Sequence, residues 1–178
     1  MQQNEPHLEI ERKYLISYPD VNTLLSVEGA TKTAITQTYL SAPAGVSRRI
    51  RKSEGKETVY TYTEKKKRCA AVREEAEREI SESEYFALAK EADPACAPVL
   101  KVRVCVPFEG FVWEADLYPF WDKVAVLEVE LSDLSQTPTP PPCFCLLKEV
   151  TDEPSMTNHS LAKYLKNEKT DALLASVL

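Results

Sequence analysis

The chain has 178 residues, of which 43 % are hydrophobic and 28 % are charged, a balance typical of one globular domain over residues 1–178. Its net charge of −6 argues against a nucleic acid polymer as partner, because phosphate backbones need a basic surface. No apolar run is long enough to span a membrane and no signal peptide is recognised, so a cytoplasmic protein without membrane contact is expected.

Cysteine and glycine usage narrows the possible chemistry. Five cysteines without a C-x-x-C pair, beside two histidines, do not predict a zinc site and suit a reduced cytosolic protein. Only four glycines are present, and none forms a glycine-loop phosphate motif. If the protein binds phosphate, side chains must therefore provide the contacts.

Most of the chain has the alternating, β-branched and aromatic pattern of strands, separated by turn residues. The segments that the pattern predicts as strands are 8–16, 34–41, 46–53, 57–65, 98–107, 111–118 and 124–132. Residues 73–81 are rich in Glu, Ala and Arg, which favour a helix. The hairpin between 98–107 and 111–118 turns at Glu109–Gly110.

Helices are fewer. A short one is predicted over 20–27, and Ser81 with Glu84 forms a capping box that opens another over 82–92. Two more are predicted near the end, one from Thr157 or Asn158 through Tyr164 and one over 170–177. The proline-rich residues 136–142 are expected to be a stiff extended connection across the molecule.

Charged residues recur at i and i+2 on strand after strand, so they share one face of each strand. Such a face is usually the solvated side of an antiparallel sheet. Here, however, the carboxylates and the cations segregate by strand, and repeated carboxylate pairs repel unless a cation lies between them. The alternative is a barrel lined with charge, in which carboxylates bind hard divalent ions while arginines and lysines bind phosphate.

The order of these motifs resembles the CYTH family, also called triphosphate tunnel metalloenzymes. The chain opens with E-x-E-x-K in EIERKYL (9–15) and closes with E-V-T (149–151). Between them lie QTYL (37–40), RIR (49–51), TEK (63–65), REEAERE (73–79), KVR (101–103), WEAD (113–116) and EVEL (128–131). The resemblance implies an α+β, mainly β fold: an eight-stranded antiparallel closed β-barrel with helices packed outside. In this fold residues 73–81 are a strand, which together with the seven segments above makes eight.

The resemblance also implies an activity. Short bacterial members with this opening motif resemble inorganic tripolyphosphatases that need Mg²⁺ or Mn²⁺ and act on a small polyphosphate. A thiamine triphosphatase, a nucleotide-acting relative similar to adenylate cyclases, and a binding module without turnover remain alternatives. Neither the composition nor the motifs indicate an oligomeric state.

Site residues follow from the matched positions, and each role is what the resemblance implies. The implied metal-binding carboxylates are Glu9, Glu11, Glu75, Glu77, Glu114, Asp116, Glu128, Glu130 and Glu149. The implied phosphate-binding cations are Lys13, Arg49, Arg51, Lys101 and Arg103. Tyr39 and Lys65 match a catalytic pair in which the amine accepts a proton from the attacking water.

One stretch departs from the family pattern. Residues 143–148 lack the Trp and Gly that often precede E-V-T, and Ser155 and Met156 stand where an Arg-Tyr pair is common. One phosphate-binding arginine is therefore missing, with Lys148 as a possible substitute. This departure leaves the choice among triphosphate substrates open.

Overall fold

The structure is a computed structural model that describes residues 10–67, 73–133 and 135–178, with the side chains of 66–67 and 73–75 outside the description. Its strands are β1 (Ile10–Ser17), β2 (Thr31–Leu40), β3 (Val46–Glu54), β4 (Thr58–Lys67), β5 (Arg73–Glu79), β6 (Val99–Phe108), β7 (Phe111–Leu117), β8 (Val124–Leu131) and β9 (Leu146–Glu149). The helices are α1 (Val21–Leu25), α2 (Glu82–Leu88), α3 (Asn158–Lys166) and α4 (Thr170–Val177). The prediction of an α+β, mainly β fold is confirmed.

The predicted closed barrel of eight strands is wrong in its details. Hydrogen bonds join the nine described strands in the order β5-β4-β3-β2-β6-β7-β8-β1-β9, which leaves β5 and β9 at the two ends. The ninth strand is the short segment after the proline-rich residues, and it pairs with β1. Because β8 already pairs with the other edge of β1, β9 takes the edge that a closed ring would need.

Strand pairing and local sequence signals together account for several of these elements. The residues 73–79 form a strand despite their helical propensity, because β4 pairs with them along their whole length. The β6–β7 hairpin turns through Glu109 and Gly110 with φ of 47° and 81°, the positive pair that a tight two-residue turn requires. The Ser81 hydroxyl accepts a hydrogen bond from the Glu84 amide at 3.2 Å and caps α2, as predicted.

The described residues divide into two compact units. The first unit contains residues 35–99 and 157–169, and the second contains 10–34, 100–156 and 170–178. The prediction of a single domain stays a prediction.

In the first unit, β3, β4 and β5 pair antiparallel and α2 covers one face of them. The core on that face contains Leu40, Ile50, Ile80 and Tyr85, with Tyr60 and Tyr62 packed against it. Because side chains alternate along a strand, Arg49, Arg51 and Lys65 belong to the opposite face. The apolar core of this unit therefore leaves the other face to charged and polar groups.

The second unit also has an apolar face and a charged face, and both are larger than in the first unit. Its apolar face is built from alternate residues of β1, β6, β7 and β8, and Leu24 of α1 and Phe144 pack on it. Trp113 lies fully buried in this core beside Tyr14, with ring centroids 6.4 Å apart. Apart from Arg12, which lies opposite Val129, the charged residues of the same four strands lie on the other face, so the core fixes their direction.

Candidate functional site

An acidic cluster lies on the charged face of the second unit. It consists of Glu11 and Lys13 of β1, Lys101 and Arg103 of β6, Glu114 and Asp116 of β7, and Glu128 and Glu130 of β8. The strand register aligns them in rows: Glu11 lies opposite Glu130, Lys13 and Glu114 both lie opposite Glu128, and Arg103 lies opposite Asp116. Residues directly opposite on paired strands share a face, so eight of the predicted residues come together here.

Arg103 is the centre of the acidic cluster. Its Nε donates to Asp116 Oδ1 at 2.7 Å, and its Nη2 donates to Asp116 Oδ2 at 2.7 Å and to Glu128 Oε2 at 2.8 Å. Its Nη1 donates to Glu114. One guanidinium thus holds three carboxylates in a fork geometry that a lysine cannot supply. Burial opposes the charge, but these carboxylates outweigh it and raise the pKa of Arg103.

Lys101 and Asp116 form the most deeply buried ion pair of the acidic cluster. Neither side chain has any exposed surface, and the Lys101 amine donates to Asp116 Oδ2. Burial disfavours an ionised Asp116, but Lys101 and Arg103 outweigh it and lower the pKa of its carboxyl group from 3.8 to about 2. Asp116 is therefore a carboxylate at neutral pH.

Lys13 bridges two carboxylates of β1 and β8. Its Nζ lies 2.9 Å from Glu128 Oε1 and 3.5 Å from Glu11 Oε1, while 10 % of the side chain is exposed. Burial opposes the positive charge of Lys13, and the two glutamates reverse this effect and raise its pKa. Charged groups this deeply buried are not a solvated sheet face, which excludes the simplest interpretation of the charge pattern.

The acidic cluster suits a divalent metal ion by its charge and its donor atoms. Five carboxylates face three cations, which leaves two formal negative charges, and all acidic donors are hard oxygens of the kind that Mg²⁺ and Mn²⁺ prefer. The directly opposed Glu11 and Glu130 are exposed, and two like charges in that position repel. A cation between them would remove the repulsion, so these residues fit the implied metal.

A second group of polar side chains, the arginine–tyrosine cluster, lies in the first unit. It consists of Arg49 and Arg51 of β3, Gln37 and Tyr39 of β2, and Thr63 of β4. Arg51 Nη2 donates to Gln37 Oε1 at 3.3 Å, and Gln37 Nε2 donates to the Tyr39 hydroxyl at 2.8 Å. Gln37 is fully buried, so its amide fixes Arg51 and Tyr39 relative to each other.

Tyr39 lies in a buried position between charged and aromatic neighbours. Burial raises the pKa of its hydroxyl group, and the adjacent Arg49 and Arg51 only partly offset the effect. Tyr39 is therefore a neutral phenol at physiological pH, able to donate or accept a hydrogen bond. Its ring stacks on His159 of α3 with centroids 4.6 Å apart.

Lys65 and Glu77 lie on the same strand faces as the arginines. Lys65 is partly buried on β4, opposite Ser47 of β3 and Glu75 of β5. Glu77 Oε2 accepts from the Thr63 hydroxyl at 2.7 Å and lies 3.8 Å from Arg49 Nη2. The described contacts of Glu77 are thus with the arginine–tyrosine cluster.

Three of the predicted carboxylates remain to be considered: Glu9, Glu75 and Glu149. Glu9 lies outside the described residues, as does the side chain of Glu75. Glu149 lies on β9 opposite Tyr14, a residue of the apolar face, and its carboxylate accepts from the Thr151 hydroxyl at 2.9 Å. The metal-binding roles of these residues stay predictions.

The departure from the family pattern has a local structural consequence. Lys148, the possible substitute for a missing arginine, lies on β9, and its amine donates to the Val177 carbonyl oxygen at the end of α4. The described contact of Lys148 therefore caps a helix C-terminus, where a cation is favourable.

Two functional candidates were missed by the sequence reasoning. Gln37 and Thr63 are among the few fully buried polar side chains of the described chain, and each orients a predicted site residue. The i+2 spacing of Gln37 to Tyr39 and of Thr63 to Lys65 was a signal that could have identified both. Uncharged residues at those positions are common in strands, so the spacing alone is weak.

Helices of the described residues are all short. None has the length and apolar character that crossing a membrane requires.

Comparison with known proteins agrees with this geometry. The CYTH domain model matches residues 7–133. The inorganic triphosphatase NE1496 is 25 % identical, with a TM-score of 0.58, and the match covers 90 % of this chain and 97 % of that protein. A comparison with curated proteins gives no match.

More distant solved structures share the fold alone. A conserved hypothetical protein from Pyrococcus furiosus is 18 % identical with a TM-score of 0.51, covering 93 % of this chain and 90 % of its own. A putative adenylate cyclase from Bacillus halodurans is 18 % identical with a TM-score of 0.50, covering 78 % and 97 %. The matched residues include every strand of the acidic cluster and of the arginine–tyrosine cluster, and this chain belongs to the CYTH domain family.

Proposed function

We propose that this protein is a divalent-metal-dependent triphosphate hydrolase whose substrate is inorganic tripolyphosphate, cleaved to pyrophosphate and phosphate. The observation that carries the proposal is the buried network in which Arg103 joins three carboxylates beside Lys13 and Lys101. A solvated strand face does not need such a network. The similarity to the inorganic triphosphatase NE1496 supports the choice of substrate.

Metal binding is assigned to the acidic cluster, with Glu11 and Glu130 as the accessible carboxylates and Glu114, Asp116 and Glu128 behind them. A bound Mg²⁺ or Mn²⁺ ion supplies Lewis-acid stabilisation of charge on phosphate oxygens. Arg103 already orients the inner carboxylates, so little rearrangement is needed to present them.

Phosphate binding is assigned to the cations. Arg49 and Arg51 carry the planar fork of donors that matches phosphate oxygens, and Gln37 fixes the direction of Arg51. Lys65 is proposed to accept, at Nζ, the proton of the water that attacks the terminal phosphorus, and the Tyr39 hydroxyl is proposed to orient that amine.

The metal assignment is tested by the double substitution Glu11→Gln and Glu130→Gln. We expect metal affinity and turnover to fall by about 10- to 100-fold or more, since two charged ligands are lost. Without metal, we expect the melting temperature to stay or rise, because the direct repulsion between the two carboxylates is removed. Isothermal titration with Mn²⁺ and thermal melts with and without metal measure both effects.

Glu57→Gln combined with Glu109→Gln is the matched control, because it removes the same charge from exposed residues outside the acidic cluster. If the test variant keeps its Mn²⁺ affinity, or if the control loses it equally, the metal is bound elsewhere.

The substrate assignment is tested by phosphate release from tripolyphosphate, thiamine triphosphate, ATP and pyrophosphate, each with Mg²⁺ or Mn²⁺. We expect tripolyphosphate to give the highest kcat/KM, and no release in the presence of a chelator. Preference for thiamine triphosphate or ATP would assign the protein to another activity of the family. Binding of tripolyphosphate without release from any substrate would reduce it to a binding module.

A further inference from the structure

A different set of metal-binding groups lies in the first unit, outside both clusters described above. Asp93 and Cys96 belong to the turn that precedes β6, and His159 belongs to the first turn of α3. One ligand atom from each of these three side chains lies within 4.8 Å of the other two. Among the described residues, this is the only trio of His, Cys, Asp or Glu that meets so closely.

The backbone holds the three residues in place. The Asp93 amide donates to the Tyr39 carbonyl at 2.9 Å, and the Cys96 amide donates to the Asp93 carbonyl at 3.0 Å. The Ala97 amide donates to the Ala162 carbonyl of α3 at 2.9 Å, which ties the turn to the helix that carries His159. All of these hydrogen bonds lie within the first unit, so the turn and α3 form one support for the trio.

The donor set selects the kind of ion. A thiolate and an imidazole are ligands for Zn²⁺ and similar transition metals, whereas Mg²⁺ and Ca²⁺ prefer oxygen. The thiolate and the carboxylate together carry the two negative charges that balance a divalent ion. Tetrahedral zinc with bonds of about 2.0–2.3 Å places its ligands roughly 3.5 Å apart, so the side chains need to close by about 1 Å.

We propose that Asp93, Cys96 and His159 bind one Zn²⁺ ion, with a water molecule in the fourth position. Cys96 Sγ already lies 4.0 Å from Asp93 Oδ2, and the second carboxylate oxygen accepts from the Ala95 amide at 2.9 Å, which fixes its rotamer. The site is distinct from the proposed Mg²⁺ or Mn²⁺ site in its residues and in its donor atoms. The His159 ring stacks on the ring of Tyr39. An ion bound at this site therefore also immobilises the His159 ring, which supports Tyr39.

One charge opposes the ion. Lys163 lies one helical turn after His159, is exposed, and acts electrostatically on both His159 and Cys96. Removing this charge should tighten zinc binding, which gives the proposal a test that leaves all three ligands intact.

The binding experiment uses the full-length protein freed of metal and titrated with Co²⁺, a spectroscopic substitute for zinc. We expect one equivalent to produce visible d–d bands and a near-ultraviolet thiolate-to-cobalt absorption, and one equivalent of Zn²⁺ to abolish both. Cys96→Ser should remove the thiolate absorption, and His159→Gln and Asp93→Asn should each weaken Zn²⁺ binding by roughly 10-fold or more. Cys105→Ser and Cys143→Ser are the matched controls and should change neither the thiolate absorption nor the Zn²⁺ binding.

Lys163→Gln should strengthen Zn²⁺ binding by about two- to five-fold, while Lys166→Gln on the same helix should not. Circular dichroism and thermal melts establish that each variant is folded. The proposal is overturned if Cys96→Ser keeps the thiolate absorption, if the absorption disappears in a control cysteine variant, or if metal-free protein binds no Co²⁺. Should a ligand variant not fold, an unchanged affinity in Lys163→Gln overturns the proposal on its own.

Discussion

Replacing Asp116 with asparagine is expected to lower the free energy of unfolding by about 3–5 kcal/mol at neutral pH, the usual cost of breaking a buried ion pair from one side. The carboxylate of Asp116 is fully buried and binds both Lys101 and Arg103. The amide keeps the shape but not the charge, so the fully buried Lys101 amine loses the carboxylate with which it forms an ion pair. Urea unfolding of the variant and the native protein measures the difference.

The pH dependence gives an independent check on Asp116. Its pKa in the folded protein is about 2, below the ordinary value of 3.8, so the stabilisation is complete above about pH 4 and is lost as the pH falls towards 2. The stability difference between the native protein and Asp116→Asn should therefore shrink across that interval. A difference that is independent of pH would show that the charge of Asp116 is not what stabilises the fold.

A control and a rescue make the test specific. Asp122→Asn removes a charge from an exposed aspartate and should change stability by no more than about 0.5 kcal/mol. Adding Lys101→Met to Asp116→Asn removes the stranded amine and should recover part of the loss, because the uncompensated charge is its main source. If the double variant is less stable than Asp116→Asn, the ion pair is not the dominant interaction at this position.

Replacing Lys65 with arginine is expected to lower kcat for tripolyphosphate by about 100-fold or more, with a much smaller change in KM. Arginine keeps the positive charge and phosphate affinity but does not release its proton, so it cannot act as the base. Steady-state kinetics of the native protein and the variant with tripolyphosphate test both the fall in kcat and the smaller change in KM.

Two further variants separate the possible roles of Lys65. Tyr39→Phe removes only the orienting hydroxyl group and should have a smaller effect on kcat than Lys65→Arg. Lys56→Arg, at an exposed turn residue, is the matched control and should leave both constants unchanged. If Lys65→Arg raises KM and leaves kcat unaltered, Lys65 binds phosphate and the proton is accepted by another group.

The sequence pattern was sufficient to predict those parts of the structure that depend on residues close together along the chain. Alternation at i and i+2 assigned Lys101 and Arg103 to one face of their strand and Glu114 and Asp116 to one face of theirs, because a strand has a period of two wherever it lies. The turn at Glu109–Gly110 and the cap at Ser81 were predicted for the same reason, since their chemistry is complete within four residues.

Tertiary structure decided the contacts between distant segments. The pairing of β9 with β1 joins residues 130 or more positions apart, and no local pattern marks a four-residue strand after a proline-rich stretch. Asp93 and Cys96 meet His159 only because the hydrogen bonds of one turn to β2 and to α3 bring them together. Burial, too, is collective: the sequence shows that Asp116 is charged, but only the packing of four strands removes it from water and makes its ion pairs strong.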